Sequence, residues 1–288
     1  MSGRLIIAFF TAVVIVGGCK PGMRKPLPIC AGKGSAAEAI LAIELQSEKV
    51  VPLKAKGSCL LEYYTEEKRK PEKEPIHFVT LWMNPPSEIL LHGDLAFDPR
   101  GIVLGANKDE FWLAIKPKIS SYWRGRWSDN NNAQRLMILN PKIVLEAVGV
   151  VAIRSDVDGR GDWSLSNEGP FDILTRRDDA GAMTKRIYVC SCDDLVRKIE
   201  YFDEFGRAAV VAELEDYEDV GEGFKVPKYI KVVRQGVGGR DDSVVIKLKS
   251  VKPMRFLPRQ LDVYFQPSPG RCKHVYGIVD GEWVEQPQ

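Results

Sequence analysis

LLHGDLAFDPRGIVLGANKDEFWLAIKPKISSYWRGRW, residues Leu90 to Trp127, decides the fold class. Three short apolar runs stand in it: Leu95-Ala96-Phe97, Ile102-Val103-Leu104 and Phe111 to Ile115. Asp98-Pro99-Arg100-Gly101 and Ala106-Asn107-Lys108-Asp109 separate them. Pro and Gly favour turns, and Asn and Asp tolerate left-handed backbone. Each run is too short for a helix and long enough for a strand. Side chains alternate along a strand, so Phe111, Leu113 and Ile115 share one face and Trp112 and Ala114 the other. The stretch predicts the middle of an antiparallel meander with a broad apolar face.

On its N-terminal side, Ser35 to Val51 predicts a helix. Ser35 and Glu38 have capping-box spacing, Ile40, Leu41, Ile43 and Leu45 give an apolar side, and Pro52 ends it. Lys54–Tyr64 and Pro75–Met83 predict strands, the second with Phe78 and Trp82 on one face beside Ile76; Thr65 to Glu74 is a charged hairpin tip or loop. After the polar loop Ser128 to Ala133, Asn140 to Val150 predicts a second helix. Pro141 suits its first turn, and Ile143, Val144, Ala147 and Val148 form a stripe. From Trp163 onward only strands are predicted: 163–166, 171–176, 184–192, 195–202, 208–216, 224–233, 243–250, 261–265 and 274–279. Regular spacing with turns such as Asp203 to Gly206 and Gly221 to Gly223 is the all-β signature.

Residues 1–18 stand apart. Arg4 precedes an unbroken run without charge, Leu5 to Val16, that is short for a membrane span and right for a signal peptide. It ends Val16-Gly17-Gly18-Cys19, small residues before a cysteine, as in a bacterial lipobox. A general signal peptide or a short anchor is the other reading, and the cysteine favours acylation at Cys19. Lys20 to Lys33, rich in Pro, Gly and Lys, reads as a tether, so the expected organisation is leader 1–18, flexible tether 19–34 and one domain over 35–288. Losing Arg4 with the leader leaves 40 basic against 39 acidic residues, a balance that implies neither a nucleic acid nor an acidic partner. Besides Cys19 the cysteines are Cys30, Cys59, Cys190, Cys192 and Cys272. An odd number cannot all pair within the chain, and the pattern leaves the pairing open.

No nucleophile–base set, zincin motif or nucleotide loop is present, so no enzyme and no cofactor are expected. Cys190-Ser191-Cys192 lacks a second pair of ligands for a zinc site. Asp156 to Asp162 resembles part of a calcium loop but lacks the later Glu, and reads as a hairpin turn. The aromatic residues Trp82, Phe97, Phe111, Trp112, Tyr122, Trp123 and Trp127 crowd into one region. They are either ordinary core or the wall of an apolar ligand cavity, and sequence does not separate a filled interior from a hollow one.

Three stretches carry a family resemblance. They are Trp82-Met83-Asn84-Pro85-Pro86; Val103 to Pro117, an apolar hairpin closed by Pro; and Arg197 to Gly206 followed by Val226-Pro227-Lys228-Tyr229-Ile230. In order and spacing the chain, from Ala36 to Pro267, resembles the LolA/LolB-like lipoprotein-carrier superfamily, which includes LppX/LprG-like bacterial lipoproteins. The resemblance implies a mainly β (α+β) fold: a large curved antiparallel sheet forming an incomplete, half-open barrel, with two or three helices as a lid. It also implies non-enzymatic binding of lipid acyl chains or lipoproteins in a cavity; the membrane anchor is expected from the cysteine at the end of the leader. Trp82, Leu104, Phe111, Leu113, Ile115, Tyr122 and Trp123 are the expected lining and Cys19 the attachment site. A sensing or scaffold module with a filled core is the alternative. The absence of Asp after Cys19 favours the outer membrane, facing the periplasm.

Overall fold

A computed structural model of the protein describes residues 26–64, 70–95, 98–116, 120–128, 143–144, 146, 162–268, 270, 272–279 and 282–287. The leader, Cys19, Phe97 and the sequence resembling a calcium loop at 156–161 lie outside them. Among the described residues fifteen strands form one sheet. The first six are β1 (Leu53–Tyr63), β2 (Glu72–Asn84), β3 (Glu88–Leu95), β4 (Asp98–Ala106), β5 (Glu110–Ile115) and β6 (Ser121–Arg126). Then come β7 (Asp162–Glu168), β8 (Phe171–Arg177), β9 (Met183–Cys190), β10 (Val196–Phe202), β11 (Ala208–Asp219), β12 (Lys225–Arg234) and β13 (Asp242–Pro253). The last two are β14 (His274–Val279) and β15 (Glu282–Glu285).

β1 sits in the middle. β2 to β6 extend the sheet on one side of it, and β13 back to β7 on the other. β14 joins beyond β6 as a parallel neighbour, and β15 follows it. The edges, β15 and β7, do not pair with each other, so the sheet is an open, incomplete barrel. It is curled. The ring of Trp283 in β15 meets that of Phe111 in β5 edge-on at 6.3 Å, although β14 and β6 lie between those strands.

Turn chemistry sets the hairpins. Asn107 Oδ1 accepts from the backbone N–H of Asp109 (2.9 Å) and Glu110 (3.0 Å), which fixes the β4–β5 turn. The buried Asn107 also donates through Nδ2 to the Phe265 carbonyl and accepts at its own carbonyl from Trp127 Nε1. Asp203 Oδ1 plays the same part for the N–H groups of Phe205 and Arg207, with Gly206 at φ 73°.

Helix α1 (Ala36–Ser47) starts where expected. Ser35 Oγ accepts from Glu38 N–H, and the Glu38 carboxylate reaches the N–H of Gly34 rather than of Ser35. The helix ends four residues before Val51. Ser47 Oγ donates to the Glu44 carbonyl, a local bond that competes with the helical ladder. Its spread of apolar residues buries Ala39 and leaves Leu41 and Leu45 exposed.

Three expectations are corrected. The strand predicted at 261–265 is part of helix α2 (Pro258–Tyr264), begun by Pro258 and capped by Gln260 Oε1, which accepts from Leu257 N–H at 2.9 Å. Leu257, Leu261, Tyr264 and Phe265 have helical, not strand, spacing. Asp98 to Gly101 is not the turn between β3 and β4 but the start of β4, with Arg100 at φ 64° and its N–H held by Asp94 Oδ1. Phe78 does not lie beside Ile76: a bulge at His77-Phe78, opposite Ser58, shifts the phase of β2. Ile76, Val79, Leu81 and Met83 are therefore buried, while Phe78 is 74% exposed.

Candidate functional site

One face of the sheet carries two unbroken cross-strand rows of apolar side chains. In the first, Val251, Ala55, Leu81, Leu91, Leu104, Leu113 and Trp123 follow one another across β13, β1, β2, β3, β4, β5 and β6. In the second, Leu165, Leu174, Ile187, Ile199, Ala212, Val232, Val244 and Leu61 cross from β7 to β13 and β1. Directly opposed side chains lie on the same face, so register alone aligns these rows. They belong to a single apolar cluster, against which Ala39 of α1 and the helical residues Ile143 and Val144 also pack. Leu104, Phe111, Leu113, Ile115 and Trp123 all fall in or against this cluster.

Trp82 and Tyr122 do not. Leu113 opposes Trp123, so Tyr122, opposite Ala114, must point to the other face. Trp82, Leu90, Gly105 and Trp112 form a row there, and a second cluster closes over it under Leu261, Tyr264 and Phe265. Trp112 lies opposite Phe111 and Leu113 as expected, but α2 and its flanks bury it. Gly105 makes room for its indole: a Cβ there would come 2.2 Å from Trp112 Cε2. The alternation in Tyr122-Trp123 and the helical spacing after Pro258 are the signals that separate the two faces.

His92 sits edge-on against Trp82 at 5.2 Å. Burial, reinforced by Arg100, pushes its imidazole down to about 4 from an ordinary 6.5. Between those values the unfolded chain holds the proton more firmly than the folded one, so stability falls as pH drops through that window. His92→Gln should flatten the acid limb of a melting-temperature profile between about pH 6.5 and 4. An unchanged limb would show that other groups set it.

The polar features of the larger cluster are few. Glu146, helical and buried, receives Lys185 Nζ at 2.8 Å and the Tyr201 hydroxyl, both on Oε2, while its Oε1 is buried without a partner. Lys185 and Tyr201 oppose each other on β9 and β10, and Nζ lies 5.4 Å from the Tyr201 ring centroid. Cys59, on the same face of β1, is a buried thiol pushed up to about 12 by burial.

At the sheet end near the β9–β10 turn, the N-terminal segment is fastened down. Cys30 and Cys192 form a disulfide. Lys33 Nζ pairs with Asp194 at 2.7 Å, Lys33 N–H donates to Asp172 Oδ1, and Asn167 Nδ2 donates to the Lys33 carbonyl. A Cβ on Gly32 would strike Asn167 and Asp172, so the chain passes against β7 and β8. The last part of the expected tether is thus bound to the domain. Beside it opens a cleft of about 880 Å³ lined by Leu27, Phe171, Leu195, Arg197, Leu214 and Tyr217, among others. Cys59, Cys190 and Cys272 take no part in disulfides.

Among the described residues no cluster of His, Cys, Asp or Glu has the make-up of a metal site, and no helix is long and apolar enough to cross a membrane. No family model and no curated protein matches the chain. Solved structures do. A LolA superfamily protein, NE2245, from Nitrosomonas europaea is similar over 80% of this chain and 97% of its own, at 15% identity and a TM-score of 0.50. A putative outer membrane lipoprotein-sorting protein domain from Vibrio parahaemolyticus covers 77% of this chain and 94% of its own, at 9% identity and 0.51. A DUF1329 family protein from Desulfovibrio piger covers 77% and 95%, at 14% and 0.52. Open sheet, apolar face and these likenesses together give the chain a LolA-like fold.

Proposed function

We propose that this protein is a non-enzymatic bacterial lipoprotein that holds lipid acyl chains, or the acyl part of lipoproteins, against the apolar face of its sheet. On this reading Cys19 carries the lipid anchor, and the domain works on the periplasmic side of the envelope, at the outer membrane. The observation that carries it is the pair of apolar rows spanning the sheet from β6 to β7, faced by helical residues rather than by a second sheet. Each methylene moved from water onto such a surface is worth about 0.8 kcal/mol, so one long acyl chain is enough to drive binding. Leu104, Phe111, Leu113, Ile115 and Trp123 are the proposed contacts. A lipid-modified N-terminus supplies the second requirement, residence at a membrane, because two or more chains hold a protein there where one does not.

The test is native mass spectrometry of protein purified from membranes after expression with its leader. The expected spectrum shows a mature chain beginning at an acylated Cys19, with a lipid that copurifies and is released on activation. An unmodified N-terminus would remove the anchor from the proposal. The second reading, a scaffold or sensor with a filled core, draws on the tight burial of Leu104, Leu113 and Ile115 by the protein's own side chains. It predicts no copurifying lipid.

A further inference from the structure

A charged pair inside the apolar cluster needs a reason. Lys185 is 6% exposed and Glu146 8%, and along β9 Lys185 shares its face with Ile187 and Val189. Moving two charges out of water is expensive, and apolar residues of the same size are often neutral or better for stability. This pair is also incompletely satisfied. Both donors, Lys185 Nζ and the Tyr201 hydroxyl, converge on Oε2, while Oε1 is buried without a hydrogen bond, at a further cost. A core built for stability alone has no use for that arrangement. An ammonium and a phenol aimed at one anionic oxygen, within an apolar surface, make a head-group site.

We propose that Lys185 and Tyr201 bind the anionic head group of an acyl ligand, a carboxylate or phosphate, and that the Glu146 carboxylate is the internal group this anion displaces. The inference rests on the acyl-binding reading above and narrows its ligand to anionic lipids. Lys185 supplies the charge. Tyr201, held across from it by the β9–β10 register, supplies a directed hydrogen bond. The rows of Leu174, Ile187, Ile199 and Ala212 lie alongside for the chain. An exchange of one carboxylate for another keeps Lys185 paired throughout, and the displaced Glu146 carboxylate turns out to water, so that no charge stays buried without a counter-ion.

The experiment measures the affinity of the full mature domain at pH 8 for three pyrene-labelled probes: hexadecanoic acid, its methyl ester and a lysophosphatidic acid. Wild type should bind at least one anionic probe ten or more times tighter than the ester, and the better of the two anions identifies the head group. In Lys185→Met that preference should collapse to within about twofold while ester binding persists. Lys185→Arg should keep the preference, and Glu146→Gln should tighten the anionic probes severalfold without changing the ester. Equal affinities for all three probes in the wild type overturn the head-group site and leave acyl binding standing, whether or not Lys185→Met folds. The site also falls if a folded Lys185→Met keeps the full preference. Binding of none of the probes removes the acyl-binding reading and this site with it.

Discussion

Replacing both Cys30 and Cys192 by serine will lower the melting temperature by roughly 10 °C. The disulfide joins residues 162 apart in sequence. Opening a loop of that size returns conformational entropy to the unfolded chain worth about 3–5 kcal/mol. A domain of this size loses about 2–4 °C for each kcal/mol. The paired substitution avoids leaving one thiol beside Cys190. Reductant added to the wild type should produce the same drop, and added to the variant should produce none. The remaining contacts, Lys33 with Asp194 and Asp172 and Asn167 with the Lys33 carbonyl, hold the segment in part, so the shift is expected to be large without being total. A change under about 2 °C in both measurements would mean that the unfolded chain gains little from the released loop. The bond also bears on the proposed function. If Cys19 is anchored, only ten residues lie between it and Cys30, about eleven Cα–Cα steps, so the β9–β10 turn stays within about 40 Å of the membrane.

Most strands were legible because alternation and turn residues are local. β5, β8 and β14 follow directly from short apolar runs bounded by Asn, Asp, Gly or Pro. What escaped depends on contacts distant in sequence or on single-residue irregularities. The bulge at His77-Phe78 exists because β2 must keep both Ile76 and Val79 on the buried face against β1, and nothing in the local pattern announces the extra residue. α2 was hidden by its length, since seven residues rich in apolar side chains satisfy a strand template until Pro258 and the spacing of Leu261 and Phe265 are weighed. The pairing of Cys30 with Cys192 depends on the N-terminal segment running along β7 and β8. Of the candidate site, the face shared by Phe111, Leu113 and Ile115 came from alternation alone. Grouping Trp82 and Tyr122 with it failed because aromatic crowding in sequence ignores which side of the sheet each ring takes. Lys185, Tyr201 and Glu146 had no sequence signal, because an isolated Lys in a strand reads as solvent-facing until Ile187 and Val189 beside it are seen to be buried.

On the acyl-binding reading, Leu113→Glu will reduce uptake of an acyl probe tenfold or more, and it separates the two readings of the apolar face. Leu113 is 3% exposed and lies directly between Leu104 and Trp123 in the first apolar row. A carboxylate there has no charged partner in the row, and an unpaired buried charge costs several kcal/mol or forces its surroundings to admit water. If the face is a binding surface covered by helical residues, the covering elements can yield and let water reach the charge. The variant then still folds, with a lowered melting temperature, and the acyl probe is lost because the row it lies against is interrupted. If the face is a filled core, no such relief exists, the domain unfolds, and the wild type takes up no probe either. Leu90→Ala supplies the control from the opposite face: it costs about 2–5 kcal/mol through the cavity it leaves, but uptake per folded molecule should stay at the wild-type level. A Leu113→Glu variant that melts like the wild type and still takes up the probe would remove β5 from the binding surface, because a charge tolerated there without loss cannot be facing acyl chains.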